Sequence, residues 1–211
     1  MPATSPASAL AWFEQFGIDR DAIRRVLSEA TANGADDADL YFEHTESTSV
    51  GLSDGAVNRA HTTVDLGVGV RVVIGDQVGY AYTEDLSLDS MLRAARTASA
   101  IARDSGAGQP QFVEAMRPLP DFYPVDRHWS EVDLSVRVPM VRDWEARAFA
   151  RDPRVRKVRV SLGDADKHVL LARADGTIVA DYRPMTRAVV GVTAVDGDER
   201  ESGSYNVASR G

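Results

Sequence analysis

The chain has 211 residues, 32 acidic against 24 basic, a formal net charge of −8 and no cysteine. That length can bury a sizeable core and suits one large domain or two small ones. The negative balance argues against a general nucleic-acid or membrane-surface binder, which carries a basic surface, and the missing thiols exclude disulfides, thiolate metal sites and cysteine nucleophiles.

Residues 1–17 are Ala/Ser/Pro-rich and turn apolar at Leu10, Trp12, Phe13 and Phe16, which reads as a short helix or an arm ending at Gly17. Ala22, Ile23, Val26, Leu27 and Ala30 then recur at helical spacing, with Asp19 placed to cap the start and Asn33-Gly34 to stop the end. The period next changes to two. Leu40–His44 and Ser49–Leu52 read as strands, and Ser53-Asp54-Gly55 as a hairpin turn, because Gly accepts the positive φ such turns need. Val68, Val70, Val72 and Ile74 share one face of a strand over Gly67–Ile74, and Gly75-Asp76-Gln77 turns it into Val78–Thr83. Ser87 caps a helix with Leu88, Met91, Leu92, Ala95, Ala98 and Ala102 along one stripe, ending near Asp104-Ser105-Gly106.

Residues 104–130 hold Pro110, Pro118, Pro120 and Pro124 and little periodicity, the signature of a linker. Its aromatics, Phe112, Phe122, Tyr123 and Trp129, predict that it packs along a surface. A third helix is expected over Ser135–Arg151, with Met140, Val141, Trp144 and Ala148 facing inward and Pro139 tolerated near its start. Strands follow at Val155–Leu162, Val169–Ala172, Thr177–Asp181 and Arg187–Val195, the middle two joined by Ala174-Asp175-Gly176. Each half thus runs helix, strands, Asp-Gly turn, strands. The expected fold class is α+β: two related helix-plus-antiparallel-hairpin units that can share one large mixed sheet, unless the hairpins merely look alike. The boundaries expected are an arm at 1–17, a first unit at 18–106, a Pro-rich linker at 107–132 and a second unit at 133–211.

Candidate chemistry is sparse. Gly67-x-Gly69 lies within an alternating strand and has no third glycine opening a helix, so it is no dinucleotide loop. Two glycines on one strand face either relieve crowding or let another backbone approach. Gly67, Gly69 and Arg71 are therefore the candidate contact residues on this strand. Histidines occur only at 44, 61, 128 and 168. In Glu43-His44-x-Glu46 only His44 and Glu46 share a strand face, and with no further ligands nearby they read as a surface pair. His128 falls in the linker and His168 in a turn, neither with a local partner to orient it as a base. The basic run Arg151, Arg154, Arg156, Lys157 and Arg159 reads as a solvated sheet face or a salt-bridged subunit contact, with Lys157, Arg159 and Ser161 opposite the inward Val158, Val160 and Leu162. No nucleic-acid partner is expected. No apolar run approaches the ~20 residues of a membrane helix, and Met1–Phe16 lacks the features of a secretory signal. The expectation is a cytoplasmic protein with no membrane partner.

Four stretches resemble the TldD/PmbA family, on the TldD side, in order and spacing: Ala38-Asp-Leu-Tyr-Phe-Glu43, Val64-Asp-Leu-Gly-Val-Gly-Val-Arg71, Gly79-Tyr-Ala-Tyr82, and Asp175-Gly-Thr-Ile-Val-Ala-Asp181 running on to Arg183-Pro184. The resemblance spans Gly17 to Glu201. It implies a cytoplasmic zinc metallopeptidase acting on peptides and unfolded segments, paired with a related TldD/PmbA-type subunit. It also implies a metal site in a C-terminal half, built on an H-E-x-x-x-H helix and a later cysteine. This chain contains neither, so no catalytic or metal-binding residue and no cofactor is assigned to it. Where relatives carry a glycine cluster, it reads Ser202-Gly-Ser-Tyr-Asn-Val-Ala-Ser-Arg210. The expectation is the N-terminal region of such an enzyme, cut short of the metallopeptidase core and inactive alone, contributing to a substrate chamber and binding extended peptide. The alternative is a non-catalytic peptide-binding or assembly module on the same scaffold.

Overall fold

The computed structural model describes residues 6–102, 115–116, 123–125 and 127–210. Three of its α-helices begin at a polar side-chain cap. α1 (Pro6–Glu14) leads into α2 (Arg20–Thr31), whose first turn is closed by the Asp19 carboxylate accepting from the Ala22 N–H at 2.8 Å. α3 (Leu88–Ile101) is capped by Ser87, which accepts from the Ser90 N–H, and α4 (Leu134–Ala150) by Asp133, which accepts from the Ser135 N–H at 2.7 Å.

The strands are β1 (Asp37–Ser53), β2 (Ala56–Ile74), β3 (Gln77–Thr83), β4 (Ala115–Met116), β5 (Val155–Arg173), β6 (Thr177–Asp196) and β7 (Glu199–Ser209). They form one mixed sheet in the order β3-β2-β1-β5-β6-β4, with β7 also paired to β6. β3 and β7 run antiparallel to β2 and β6, and β4 runs parallel to β6. Asp54 (φ +54°) and Gly55 (φ +79°) make the β1–β2 turn with both central residues left-handed, the geometry that matches strand twist. The halves repeat: α2-β1-β2-β3 and α4-β5-β6-β7 each close a first hairpin with Asp-Gly and a second with Gly-Asp, at 75–76 and 197–198.

By contact the chain forms two compact units, one of residues 1–44, 65–122 and 167–182, the other of 45–64, 123–166 and 183–211. Each unit draws on three separate parts of the chain. β1, β2, β5 and β6 are 17 to 20 residues long, well beyond the usual strand, and each gives residues to both units. In the first unit, Leu40, Phe42, Val70, Val72 and Leu170 pack with Ile23, Val26, Met91 and Ala95 in a large core. The second unit has a thinner one, in which Val50, Leu52, Val158, Val160 and Leu162 meet Val141 of α4.

Several predicted strands prove to be pieces of longer ones. Val155–Leu162 and Val169–Ala172 both belong to β5, because Asp164, Asp166 and His168 continue the buried alternation without apolar side chains. β1 likewise runs through Thr45 and Thr48, and β6 through Pro184. β7 is polar and exposed along its length, so no apolar pattern announces it. In α4 the buried positions are Arg137, Val141 and Glu145, so two charged residues take places expected of Met140 and Trp144, which is only partly buried against the core. Most of the proposed linker, including Phe112 and Phe122, lies outside the described residues.

Gly79 is fixed by close approach of α3 to β3. A Cβ there would lie 1.9 Å from the Ala98 carbonyl oxygen and 2.9 Å from the Ala102 nitrogen, both backbone atoms that cannot rotate away. Gly79→Ala is expected to lower stability by about 1–3 kcal/mol in urea unfolding. At Gly203 a Cβ meets nothing within 4 Å, so Gly203→Ala should stay within about 0.5 kcal/mol of the parent. Equal midpoints for the two variants would contradict the packing of α3 on β3.

Candidate functional site

Gly67, Gly69 and Arg71 lie on β2 opposite Val68, Val70 and Val72, which face the core. The register pairs Gly69 with Tyr82 and Arg71 with Tyr80 on β3. Tyr80 reaches across the sheet so that a Cβ on Gly69 would fall 2.3 Å from its hydroxyl oxygen, while one on Gly67 would fall 3.1 Å from the Thr83 carbonyl oxygen. The space above both glycines is thus occupied by the chain's own β3. Arg71 donates through Nε to Asp39 at 2.6 Å, and Arg173 donates to Asp37 at 2.7 Å. These contacts hold both guanidinium groups more firmly protonated than usual, with the carboxylate hydrogen bond as the largest cause in each. The surface beside this ladder presents Tyr80 and Tyr82, 58% and 73% exposed.

Two of the histidines are placed differently from expectation. His44 is buried rather than half of a surface pair, and His168 lies within β5 rather than in a turn. Trp12 stacks on His168 with ring centroids 3.9 Å apart and tilts against His44 at 5.6 Å, while Tyr182 covers His168 from 4.8 Å. The aromatic residues of α1 make this cluster, whose parts are too far apart in sequence to be read as one. Glu43, on the other parity of β1, accepts from Tyr41 and pairs with Lys167 at 2.8 Å.

In the second unit a buried ion pair ties α4 to β5. Arg137 and Asp164, with side chains 3% and 4% exposed, meet at 2.5 Å. The same guanidinium donates to the carbonyls of Val132, at 2.8 Å, and Trp129, and lies 5.4 Å from the Trp129 ring centroid. Asp166 accepts from the Ser130 N–H at 2.9 Å. Glu145 accepts from the Gly55 N–H at 2.9 Å and so fixes the β1–β2 turn against α4. The i, i+4, i+8 spacing of Arg137, Val141 and Glu145 and the i, i+2 spacing of Asp164 and Asp166 were the available signals for this network. Burial pushes the Asp164 carboxyl up to about 6, against the pull of Arg137 and with added repulsion from Asp166 and Glu46.

The sheet has bare edges as well. Ala56–Asp65 of β2 is exposed throughout and precedes the pairing with β3. β7 is exposed at all eleven residues, among them Tyr205 at 75%, and pairs with β6 alone among the described strands. Among the described residues no three His, Cys, Asp or Glu side chains come together as a metal site. The zinc implied by the resemblance therefore does not fit the residues described. None of the described helices is long and apolar enough to cross a membrane.

A mixed sheet built by repeating a helix and two hairpins, flanked by helices, defines the scaffold class as α+β, and comparison with known proteins specifies it. Residues 38–102 match the PmbA/TldA metallopeptidase domain 1, and residues 127–210 match the PmbA/TldA metallopeptidase central domain. The chain belongs to the PmbA/TldD metallopeptidase family. The metalloprotease TldD homolog of Haemophilus influenzae is 30% identical over 177 residues, which cover 83% of this chain and 36% of that protein. The chain thus spans little more than a third of that relative. A putative modulator of DNA gyrase from Bacteroides thetaiotaomicron shares the fold with a TM-score of 0.72 at 16% identity, over 90% of this chain and 45% of that one. TldE from Thermococcus kodakarensis does so with a TM-score of 0.71 at 11% identity, over 90% of this chain and 43% of that one.

The raised Asp164 pKa gives a signed expectation. A carboxylate that binds its proton more tightly folded than unfolded adds stability below its unfolded value of 3.8 and loses it as the pH rises to about 6. The melting temperature of the parent minus that of Asp164→Asn should fall between pH 4 and pH 6.5. A difference that is flat or rises over this range would contradict burial as the dominant influence on Asp164.

Proposed function

We propose that this chain is the substrate-handling and assembly portion of a TldD-like cytoplasmic zinc metallopeptidase that cleaves peptides and unfolded segments, with metal and general base supplied from outside these residues. The observation that carries this reading is the match of residues 38–102 and 127–210 to the family's first and central domains. Its chemistry here is binding. An extended peptide laid beside β7 gains backbone hydrogen bonds whatever its side chains, which suits an enzyme tolerant of sequence. The bare length of β7 and the exposed Ala56–Asp65 edge support this use. The tyrosine-lined surface around Gly67, Gly69 and Arg71 is the further contact area we assign to peptide or to a related TldD/PmbA-type subunit. Neither nucleic acid nor a membrane is a partner in this reading.

The purified 211-residue chain is expected to hold well under one equivalent of zinc after dialysis, by elemental analysis. It should cleave a fluorogenic peptide no faster than buffer, yet bind an unstructured labelled peptide in fluorescence anisotropy. Stoichiometric zinc with turnover would overturn the division of labour, and absence of any peptide binding would overturn the handling role.

A further inference from the structure

The odd-numbered positions of β5 and β6 in the second unit open into two cavities of about 360 Å³ each, which share Arg159 and Gly191. Lys157, Ser202 and Ser204 complete one; Asn58, Arg59 and Ser161 complete the other. No carboxylate lines either. Lys157 lies 3.5 Å from Asp54 in a pair that is exposed on both sides, and such pairs hold weakly. Arg59 and Arg159 have no ion pair or side-chain hydrogen bond among the described residues. In a chain of net charge −8, this is a local field of opposite sign, surrounded by hydroxyl and amide donors.

We propose that this face binds an acidic stretch of an extended peptide. Arg159 and Lys157 receive one carboxylate, and Arg159 and Arg59 the next. Alternate side chains of an extended chain stand about 7 Å apart, which lets two of them enter adjacent cavities that share Arg159 and Gly191. Carboxylates gain charge-assisted hydrogen bonds from guanidinium, ammonium and hydroxyl donors together. The glycine floor at 191 lets the peptide backbone settle close to the sheet. A long polyanion is disfavoured, because beyond these few cations the acidic remainder of the chain repels it. The inference rests on the peptide-handling reading above and names the class of peptide it favours.

The test is anisotropy titration of the 211-residue chain with a short labelled peptide alternating Glu and Ala, its Gln-for-Glu counterpart, and a single-stranded oligonucleotide. The Glu peptide should bind about tenfold more tightly than the Gln peptide. Arg159→Gln should remove most of that preference. Gly191→Val should weaken binding of the Glu peptide about tenfold while leaving the melting temperature intact, since a Cβ at 191 has no neighbour nearer than 4.0 Å. Arg156→Gln, which loses the same charge from an exposed position of opposite parity on the same strand, should leave affinity within about twofold.

Equal losses in Arg159→Gln and Arg156→Gln would reduce the effect to net charge and overturn the site. Tighter binding of the oligonucleotide would replace it with a nucleic-acid face. Self-association abolished by Arg159→Gln would replace it with a contact between copies of this chain. If the Glu and Gln peptides bind alike and Arg159→Gln changes nothing, the acidic preference falls while peptide handling stands. If neither peptide binds, both fall.

Discussion

Everything in this molecule depends on the register of β5. Over nineteen residues its burial alternates, with Val158, Val160, Leu162, Asp164, Asp166, His168, Leu170 and Ala172 turned inward. A slip of one residue would turn every one of them to the other face and bring Lys157, Arg159 and Lys167 in instead. The alternation is held by contacts of several kinds. Leu170 and Ala172 enter the larger core and Val158 to Leu162 the smaller one. Between these stretches, Arg137 on Asp164 and Trp12 on His168 specify the same register through polar and aromatic contacts. The second unit relies on such ties more heavily because fewer apolar side chains are buried in it. Removing Arg137 alone would leave Asp164 buried without its counter-charge, which costs far more than replacing the pair together.

The parts of this fold legible in the sequence are those that local physics decides. Asp19 and Ser87 cap the helices they were expected to cap, and Asp54-Gly55 makes the hairpin turn its residues require. What escaped reading was structure carried by polar residues. Strand reading relies on apolar alternation, so β5 seemed to end at Leu162 and restart at Val169, and β7 gave no signal. The fold class and the internal repeat survive this fragmentation because they depend on element order. The two compact units could not be read from composition, since strands of this length pass from one unit into the other.

The candidate site was legible to a lesser degree. Gly67, Gly69 and Arg71 were singled out for their face of the strand, but what lies over that face depends on β3, and only the register reveals Tyr80 above Gly69. The basic run resolved cleanly by parity: Lys157 and Arg159 face the cavities while Arg156 does not. Arg59 and Ser202 come to the same face from distant strands, a convergence no local pattern contains. The family was legible because its signature residues sit in the strands and turns that build the scaffold. The resemblance also located the family's thiol and paired histidines outside the residues of this sequence.

The central claim is that the outer edge of β7 accepts an extended peptide. Hydrogen exchange read by mass spectrometry, with and without saturating unstructured peptide, tests it at the backbone itself. Amides of Glu199–Ser209 that point away from β6 should exchange quickly in the free chain and slow on addition of peptide, while those of β3, already paired to β2, should not change. Peptide binding that leaves exchange in Glu199–Ser209 unaltered would contradict the account.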